Sequence, residues 1–201
     1  MDGSDHATPA RPEGGWCAGN GRGVDEDTPR DVHDIALTAS VPDPRENLRM
    51  GGASPCGTAI CVNSRYLTLG GRPWLPVMGE MHYSRVPAAD WRTELLKTKA
   101  GGVAVVATYV FWIHHEEVEG KFDWSGRRSL RGFVQTCASC GLLAFVRVGP
   151  WAHGECRNGG FPDWLAARCG TRVRQDAPEY LGYVRRLFAE IADQLDGLLW
   201  K

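Results

Sequence analysis

The stretch that decides the fold runs from residue 103 to residue 112 and reads Val103-Ala-Val-Val-Ala-Thr-Tyr-Val-Phe-Trp112. Its apolar residues are nearly continuous, a pattern typical of a strand buried on both faces of a parallel sheet. A second run, Leu142-Leu-Ala-Phe-Val-Arg-Val148, predicts another strand. The stretch Leu75-Pro-Val-Met-Gly-Glu-Met-His-Tyr83 predicts a third, which ends in polar residues. These three runs are the candidate strands around which the chain is organised.

Helical periodicity separates the three runs and follows the last of them. Trp91 and Leu95, four residues apart, predict a helix that ends at the Gly101-Gly102 pair. A second helix is predicted to end at Gly141, and its apolar positions are Leu130, Phe133, Val134 and Cys137. Strands and helices that alternate in this way favour an α/β fold with a parallel sheet and crossover helices.

A third, longer helix follows the last strand. Asp176 and Glu179 predict a capping box around Pro178, a residue that suits the first helical turn. The apolar residues behind it lie on one predicted helical face: Val184, Leu187, Phe188, Ile191, Leu195 and Leu198. The predicted element order from residue 75 onward is therefore β-α-β-α-β-α.

Polar and aromatic residues concentrate where each predicted strand ends. The first strand is followed by Glu80, His82, Tyr83 and Arg85, the second by Tyr109, Trp112, His114, His115, Glu116 and Glu117, and the third by Trp151, His153, Glu155, Arg157 and Asn158. In parallel α/β folds ligands bind at the carboxyl ends of the strands. Aromatic faces stack on the C–H face of a sugar ring, and carboxylates accept its hydroxyl groups. The residue types therefore favour carbohydrate binding.

Six short motifs stand in order along residues 63–201. They are Tyr83-Ser-Arg-Val-Pro87, Trp91…Leu96-Lys97…Lys99-Ala100-Gly101, Thr108-Tyr-Val-Phe-Trp112, His115-Glu116, Gly120-Lys-Phe122 and Gly149-Pro150…Glu155…Gly159-Gly160…Pro162…Trp164-Leu165. In these motifs the chain resembles glycoside hydrolase family 35, the β-galactosidases. Any one motif is weak, but six in the same register are specific.

The resemblance implies a fold, an activity and a set of binding residues. The family folds as an eight-fold β/α barrel and removes terminal β-linked galactose with retention of configuration. By this resemblance, residues 63–201 are the N-terminal part of such a TIM barrel, with about three β-α units. Tyr109 and Glu155 fall on positions that bind galactose hydroxyl groups. The positions that surround the galactose are occupied by His82, Tyr83, Trp112 and His115.

Two departures from the family pattern concern the sugar site. Commoner members carry an Asn where this chain has Ile113, and a Cys-Ala-Glu run where it has His153-Gly154-Glu155. Because the aligned Glu155 is kept, we expect the pocket to be kept as well. The departures leave the exact galactoside open.

The catalytic carboxyl groups are expected to lie elsewhere. Retaining hydrolysis needs two carboxyl groups about 5–5.5 Å apart. The family places its acid/base on an Asn-Glu pair after the fourth strand and its nucleophile near the seventh, so we predict that neither lies within residues 1–201 and that this polypeptide alone is inactive. A β/α barrel takes about 250 residues, which predicts that this chain is a piece of a longer enzyme. A non-catalytic remnant that binds sugars and an independent small α/β module are the alternatives.

Other chemistry is possible for the same residues. Glu80, Glu116 and Glu155 could supply a carboxylate pair themselves. The favoured interpretation is that they bind hydroxyl groups or pair with nearby arginines, of which the candidates are Arg85, Arg147 and Arg157.

A metal or redox site is not favoured. Zinc-type ligands occur at His114, His115, His153 and Cys156, but they lack the spacing of known zinc sites. Cys137-Ala-Ser-Cys140 is a CxxC pair near the C-terminal end of a predicted helix, where thiolates gain little stability, so buried thiols are expected. No cofactor is predicted.

The segment before residue 63 differs in composition. Of 19 aromatic residues only Trp16 precedes residue 66, and the first 60 residues are rich in Gly and Pro. Such a segment buries little apolar surface, so residues 1–62 are predicted to be a disordered leader and residues 63–201 the ordered region.

Charge and hydropathy exclude some partners. The 23 basic and 24 acidic residues nearly cancel, which gives no indication of a nucleic-acid partner. No apolar run is long enough to span a membrane. A β-galactoside is the expected partner, whereas the sequence does not indicate a compartment, a secretory signal or an oligomeric state.

Overall fold

The computed structural model describes residue 45 and residues 50–200. Four short strands come first: β1 (Gly51–Ala53), β2 (Ala59–Val62), β3 (Leu67–Leu69) and β4 (Arg72–Trp74). They pair antiparallel, each with the next along the chain. This sheet corrects the predicted leader for residues 51–62, which form β1 and β2. The other leader residues, apart from Arg45 and Met50, lie outside the described residues.

Glycine explains why composition was misleading in this segment. Gly57, Gly70 and Gly71 all have positive φ angles, of 88°, 56° and 78°. Glycine adopts this region at no steric cost, so these residues build the tight turns between the short strands. Backbone hydrogen bonds hold strands of three or four residues together even where few large apolar side chains are present.

A parallel sheet of three strands forms the centre of the described region. Its strands are β5 (Met78–Glu80), β6 (Val105–Tyr109) and β7 (Leu143–Arg147), in the order β5-β6-β7. Both pairings are parallel, with Glu80 opposite Ala107 and Ala107 opposite Phe145. The structure confirms the three predicted strands and their parallel order. Each strand is shorter than its predicted run, and β5 gives way to a 3-10 turn at Tyr83–Arg85.

Within residues 50–200, five α-helices accompany the sheet. They are α1 (Trp91–Ala100), α2 (Trp112–His115), α3 (Leu130–Ser139), α4 (Asp163–Cys169) and α5 (Pro178–Leu195). The sequence predicts α1, α3 and α5, but not the short helices α2 and α4. Pro178 begins α5 as expected. The capping box is wrong, because the residue before the helix is Ala177 and no side chain caps it.

One face of the parallel sheet packs on the helices. Val106 of β6 lies in a buried cluster with Leu95 of α1, Phe133 of α3 and Leu187 of α5. The opposite face is more open, since Met78 of β5 is 50% exposed and Phe145 of β7 is 51% exposed. The described region is thus a mixed α/β structure whose core lies between the sheet and α1, α3 and α5.

Candidate functional site

The carboxyl ends of β5, β6 and β7 meet at the same edge of the sheet, because the strands run parallel. Each strand contributes its last residues to this edge: Glu80 ends β5, Tyr109 ends β6 and Arg147 ends β7. The predicted site residues are therefore assembled from three segments that lie far apart in the sequence.

Glu80, His82, Tyr109 and Arg147 form a polar network at this edge. The Glu80 carboxylate lies 2.9 Å from Nε2 of His82 and forms an ion pair with Arg147. The Arg147 guanidinium lies 4.0 Å from the centre of the Tyr109 ring, which is a cation–π contact. Burial lowers the pKa of His82; the nearby arginines lower it further and Glu80 opposes them. A neutral His82 donates from Nε2 to Glu80, and its Nδ1 faces the backbone N–H of Tyr109 at 3.5 Å.

Tyr83 and His115 form a buried layer beside this network. The Tyr83 hydroxyl lies 2.7 Å from Nε2 of His115, and Nδ1 of His115 lies 3.1 Å from the backbone oxygen of Asp123. A carbonyl oxygen only accepts, so Nδ1 carries the proton and Nε2 accepts from the tyrosine. Burial lowers the pKa of His115 to about 4, and burial raises the pKa of Tyr83. Both groups are therefore neutral at physiological pH.

Glu116 is a fully buried carboxylate with a complete set of partners. It accepts hydrogen bonds from the Trp112 indole at 2.6 Å and from the Gly120 backbone N–H at 2.7 Å. It also pairs with Arg186 of α5, while the Trp164 indole donates to its backbone oxygen at 2.8 Å. A buried charge needs such partners. This network fixes Trp112 and joins the loop after β6 to α5.

Glu155 lies in the loop after β7 and is exposed. Its φ of 51° places it in the left-handed region. It lines a cleft of about 310 Å³ together with Trp151, Ala152, His153, Cys156 and Gly159. Within residues 50–200 no side chain bonds to the Glu155 carboxylate, and Arg85 reaches only backbone oxygens, those of Gly154 and Glu155. The carboxylate is thus available to a ligand.

The structure separates the six predicted site residues into two groups. Glu155 is exposed, His82 is partly buried, and Tyr109 at the end of β6 keeps 8% exposure. Tyr83, Trp112 and His115 are at most 1% exposed. The sequence missed Arg186, which lies 70 residues from its partner Glu116. Nothing in the local pattern of α5 indicates that contact.

The expected arginine pairing of the glutamates holds for two of them. Glu80 pairs with Arg147 as predicted, and Glu116 pairs with Arg186, which was not among the candidates. Arg157 instead pairs with Asp163. The histidines and cysteines do not gather either, since no three His, Cys, Asp or Glu side chains within residues 50–200 could hold a metal ion together.

The structure also bears on the CxxC pair and on the length of the helices. Cys137 and Cys140 are both buried thiols, and burial raises the pKa of Cys137 to about 12, so the interpretation as buried thiols is confirmed. None of the described helices combines the length and the apolarity that a membrane crossing requires.

Comparison with known proteins identifies the family. The family model for glycosyl hydrolases family 35 matches residues 66–201. The chain belongs to this family. Among curated relatives, a β-galactosidase of Xanthomonas manihotis is 37% identical over 129 residues, which are 64% of this chain and 22% of that protein. β-Galactosidase 6 of Oryza sativa subsp. japonica is 34% identical over 69% of this chain and 16% of its own length.

A mammalian relative shows the same proportions. The β-galactosidase of Bos taurus is 34% identical over 131 residues, 65% of this chain and 20% of that protein. The chain thus spans about a fifth of the length of the family 35 relatives it matches.

Proposed function

We propose that residues 63–201 form the N-terminal part of the (β/α)8 barrel of a β-galactosidase, with about three β-α units. The observation that carries this proposal is the coincidence of two facts. The region matched by the family 35 model contains three parallel strands, and the motifs that begin at Tyr83, Thr108 and Gly149 fall where those strands end. Relatives that share this region are named β-galactosidases. The substrate is a β-galactoside, and the site needs no cofactor.

The positions of the six residues support the following roles. The free, exposed carboxylate of Glu155 accepts galactose hydroxyl groups. Tyr109 ends β6 at the same edge of the sheet and is assigned a second hydrogen bond to the sugar. Burial favours the neutral form of His82, and the contact with Glu80 orients its ring. Tyr83, His115 and Trp112 act from behind, through buried hydrogen bonds that fix the loops after β5 and β6.

The bond-breaking carboxyl groups are not among the described glutamates of the site. A retaining mechanism requires one carboxyl group as acid/base and a second as nucleophile. Glu80 and Glu116 both form ion pairs with arginines, and Glu116 is fully buried. Glu155 alone cannot perform both roles. We therefore propose that residues 1–201 bind galactose but do not hydrolyse its glycosides, and that a longer polypeptide that contains them does.

The test compares two purified proteins, the 201-residue polypeptide and the natural product that carries residues 1–201. We expect the natural product to release nitrophenol from a nitrophenyl β-galactoside and the 201-residue polypeptide to release none. Turnover by the 201-residue polypeptide, lost in the Glu155→Gln variant, would place a catalytic carboxylate within this chain. A natural product of 201 residues without turnover would favour a non-catalytic sugar-binding protein.

A further inference from the structure

A second cleft lies beside the site, where the loop after β5 meets the loop after β6. It has a volume of about 310 Å³, and its lining residues are Ser84, Arg85, His114, Glu117, Arg127 and Arg128. Three of these six residues are arginines. The Ser84 hydroxyl lies 2.8 Å from Nδ1 of His114, so the cleft contains a hydroxyl group and an imidazole as well.

The charges in this cleft do not cancel. Arg128 pairs with Glu117, at 2.8 Å, and with Asp123. No carboxylate within residues 50–200 pairs with Arg127 or with Arg85. Two carboxylates thus face three guanidinium groups, which leaves a positive excess beside Arg127. The pKa of His114 reflects this field: burial lowers it, Arg85, Arg128 and Arg127 lower it further, and Glu117 only partly opposes them.

Arg85 is held in a fixed orientation. Its guanidinium lies 4.5 Å from the centre of the Phe111 ring and donates to the backbone oxygen of Gly154. Gly154 permits this arrangement, because a Cβ at that position would lie 2.4 Å from the Phe111 ring.

The cleft is continuous with the sugar site. An intermediate cleft of about 490 Å³ shares His114 and Glu117 with it and shares Cys156 with the cleft that contains Glu155. Arg85 itself reaches the backbone of Gly154 and Glu155. A sugar chain bound at Glu155 could therefore extend along the loops to the arginines.

We propose that the cleft of Arg85, Arg127 and Arg128 is a subsite for an acidic group on the sugar chain, a sulfate ester or a carboxylate. Guanidinium groups bind such oxyanions through charge-assisted, often bidentate hydrogen bonds. Within residues 50–200 Arg127 has no carboxylate partner, and Arg85 is oriented by Phe111. The Ser84 hydroxyl adds a neutral donor when Nδ1 of His114 carries the proton of their hydrogen bond. That the acidic group is attached to a galactoside rests on the proposed function. That the cleft binds an oxyanion does not depend on it.

The test uses the natural protein that carries residues 1–201 and three ligands: a neutral galacto-disaccharide, its sulfated form and a galactosyl-uronate. We expect the sulfated ligand to bind about tenfold more tightly than the neutral one at low salt, with a smaller difference at high salt. Tighter binding of both the sulfated ligand and the uronate than of the neutral ligand would show that the site accepts both acidic groups. Tighter binding of only one of them would identify whether the site prefers a sulfate ester or a carboxylate. Arg127→Ala is expected to bring the affinity ratio near one, and Arg127→Glu to reverse it. Arg185→Ala, at an exposed arginine of α5, is the control.

A direct readout separates this inference from the proposed function. Addition of sulfate alone should raise the pKa of His114, measured by NMR, in the wild type but not in Arg127→Glu. If sulfate raises the pKa of His114 and no galactoside binds, the oxyanion site is supported and the galactoside proposal is contradicted. If the neutral galactoside binds but neither sulfate nor the sulfated ligand affects His114, the subsite proposal is overturned.

Discussion

At the scale of single residues, the site divides into groups that are free to bind and groups that are already bonded. Within the part of the chain that the structure describes, no side chain bonds to the Glu155 carboxylate, whereas Glu80 and Glu116 are paired with Arg147 and Arg186. The three glutamates look alike in the sequence, since each follows a predicted strand. Only the packing of distant arginines distinguishes the one that can receive a ligand.

Glu155→Gln tests the free carboxylate. The change keeps the size of the side chain but removes the charge from a hydrogen bond to a sugar hydroxyl, which is worth about 1.5–3 kcal/mol. We expect galactose affinity to fall at least about tenfold, measured by calorimetry. Asp193→Asn, a change of charge on α5 away from the site, should leave the affinity unaltered. An equal loss in both variants would contradict the role of Glu155.

The lowered pKa of His115 predicts how the free energy of unfolding depends on pH. Its pKa is about 4 in the folded protein, against about 6.5 in an unfolded chain. Between these values the unfolded chain takes up a proton that the folded chain does not, so the free energy of unfolding falls as the pH drops from about 6.5 to 4. His115 alone should account for about 2 kcal/mol between pH 7 and pH 5.

Urea unfolding at pH 7 and pH 5 measures this effect. His82 and His114 change stability in the same direction, because their pKa values are also lowered. The comparison is therefore between the wild type and His115→Gln, in which the fall between the two pH values should be smaller. His153→Gln, at an exposed histidine, is the control. A fall of the same size in His115→Gln would show that His115 is not the group responsible.

At the scale of elements, apolar periodicity predicts the long helices and strands but not the short ones. The continuous run of β6 and the spaced apolar residues of α1, α3 and α5 each carry a pattern that one packing environment explains. Strands β1 to β4 have three or four residues each, too few for a period, and are defined by their turns. Helix α2 begins at Trp112, the last residue of the predicted strand. A local hydrogen bond from Trp112 to Glu116 and a long-range one between His115 and Tyr83 accompany this turn of the chain.

The sequence predicts which residues of the candidate site share an edge of the sheet, but not which of their side chains are buried. Parallel strands bring their carboxyl ends together whatever the loops contain, so the assembly of Glu80, Tyr109 and Glu155 at one edge follows from the strand order. Burial of individual side chains does not follow from it. Tyr83 and His115 are hidden because they bond to each other across 32 residues, a pairing without a local signal.

Two glycines predict opposite effects of the same substitution. Gly182 lies within α5 with nothing within 4 Å of a Cβ, so Gly182→Ala should stabilise the protein by about 0.5–1 kcal/mol through helix propensity. Gly159 has a φ of 63°, and a Cβ there would lie 2.0 Å from the Trp151 ring. Gly159→Ala should destabilise the protein by at least about 1–3 kcal/mol. Thermal or urea unfolding of both variants checks the pair, and a stabilising Gly159→Ala would contradict the described loop.

At the scale of the whole molecule, the two faces of the parallel sheet differ. The helix-covered face is buried, while the other face borders an apolar groove of about 500 Å³ that includes Met78, Phe145, Trp74 and Trp200. An apolar surface of this kind attracts other apolar surfaces in water. In the proposed barrel this face would point toward the interior.

Exposed apolar surface can be measured on the 201-residue polypeptide. We expect it to bind a hydrophobic dye and to self-associate as its concentration rises. Phe145→Lys should reduce both, because it places a charge in the groove. Leu96→Lys, at an exposed leucine of α1 outside the groove, is the matched control. Equal dye signals for the two variants would show that the groove is not the surface responsible.

The pairing of Glu116 with Arg186 also bears on synthesis at the ribosome. A nascent chain that has emerged only as far as α4 contains the carboxylate and lacks the guanidinium that neutralises it 70 residues later. A buried charge without its partner is strongly unfavourable, so the loop after β6 cannot close over Glu116 until α5 has left the exit tunnel. During this interval we expect Trp112, whose indole bonds to the Glu116 carboxylate in the folded protein, to stay exposed to water. The order in which the chain is made thus delays the closure of this loop until α5 is in place.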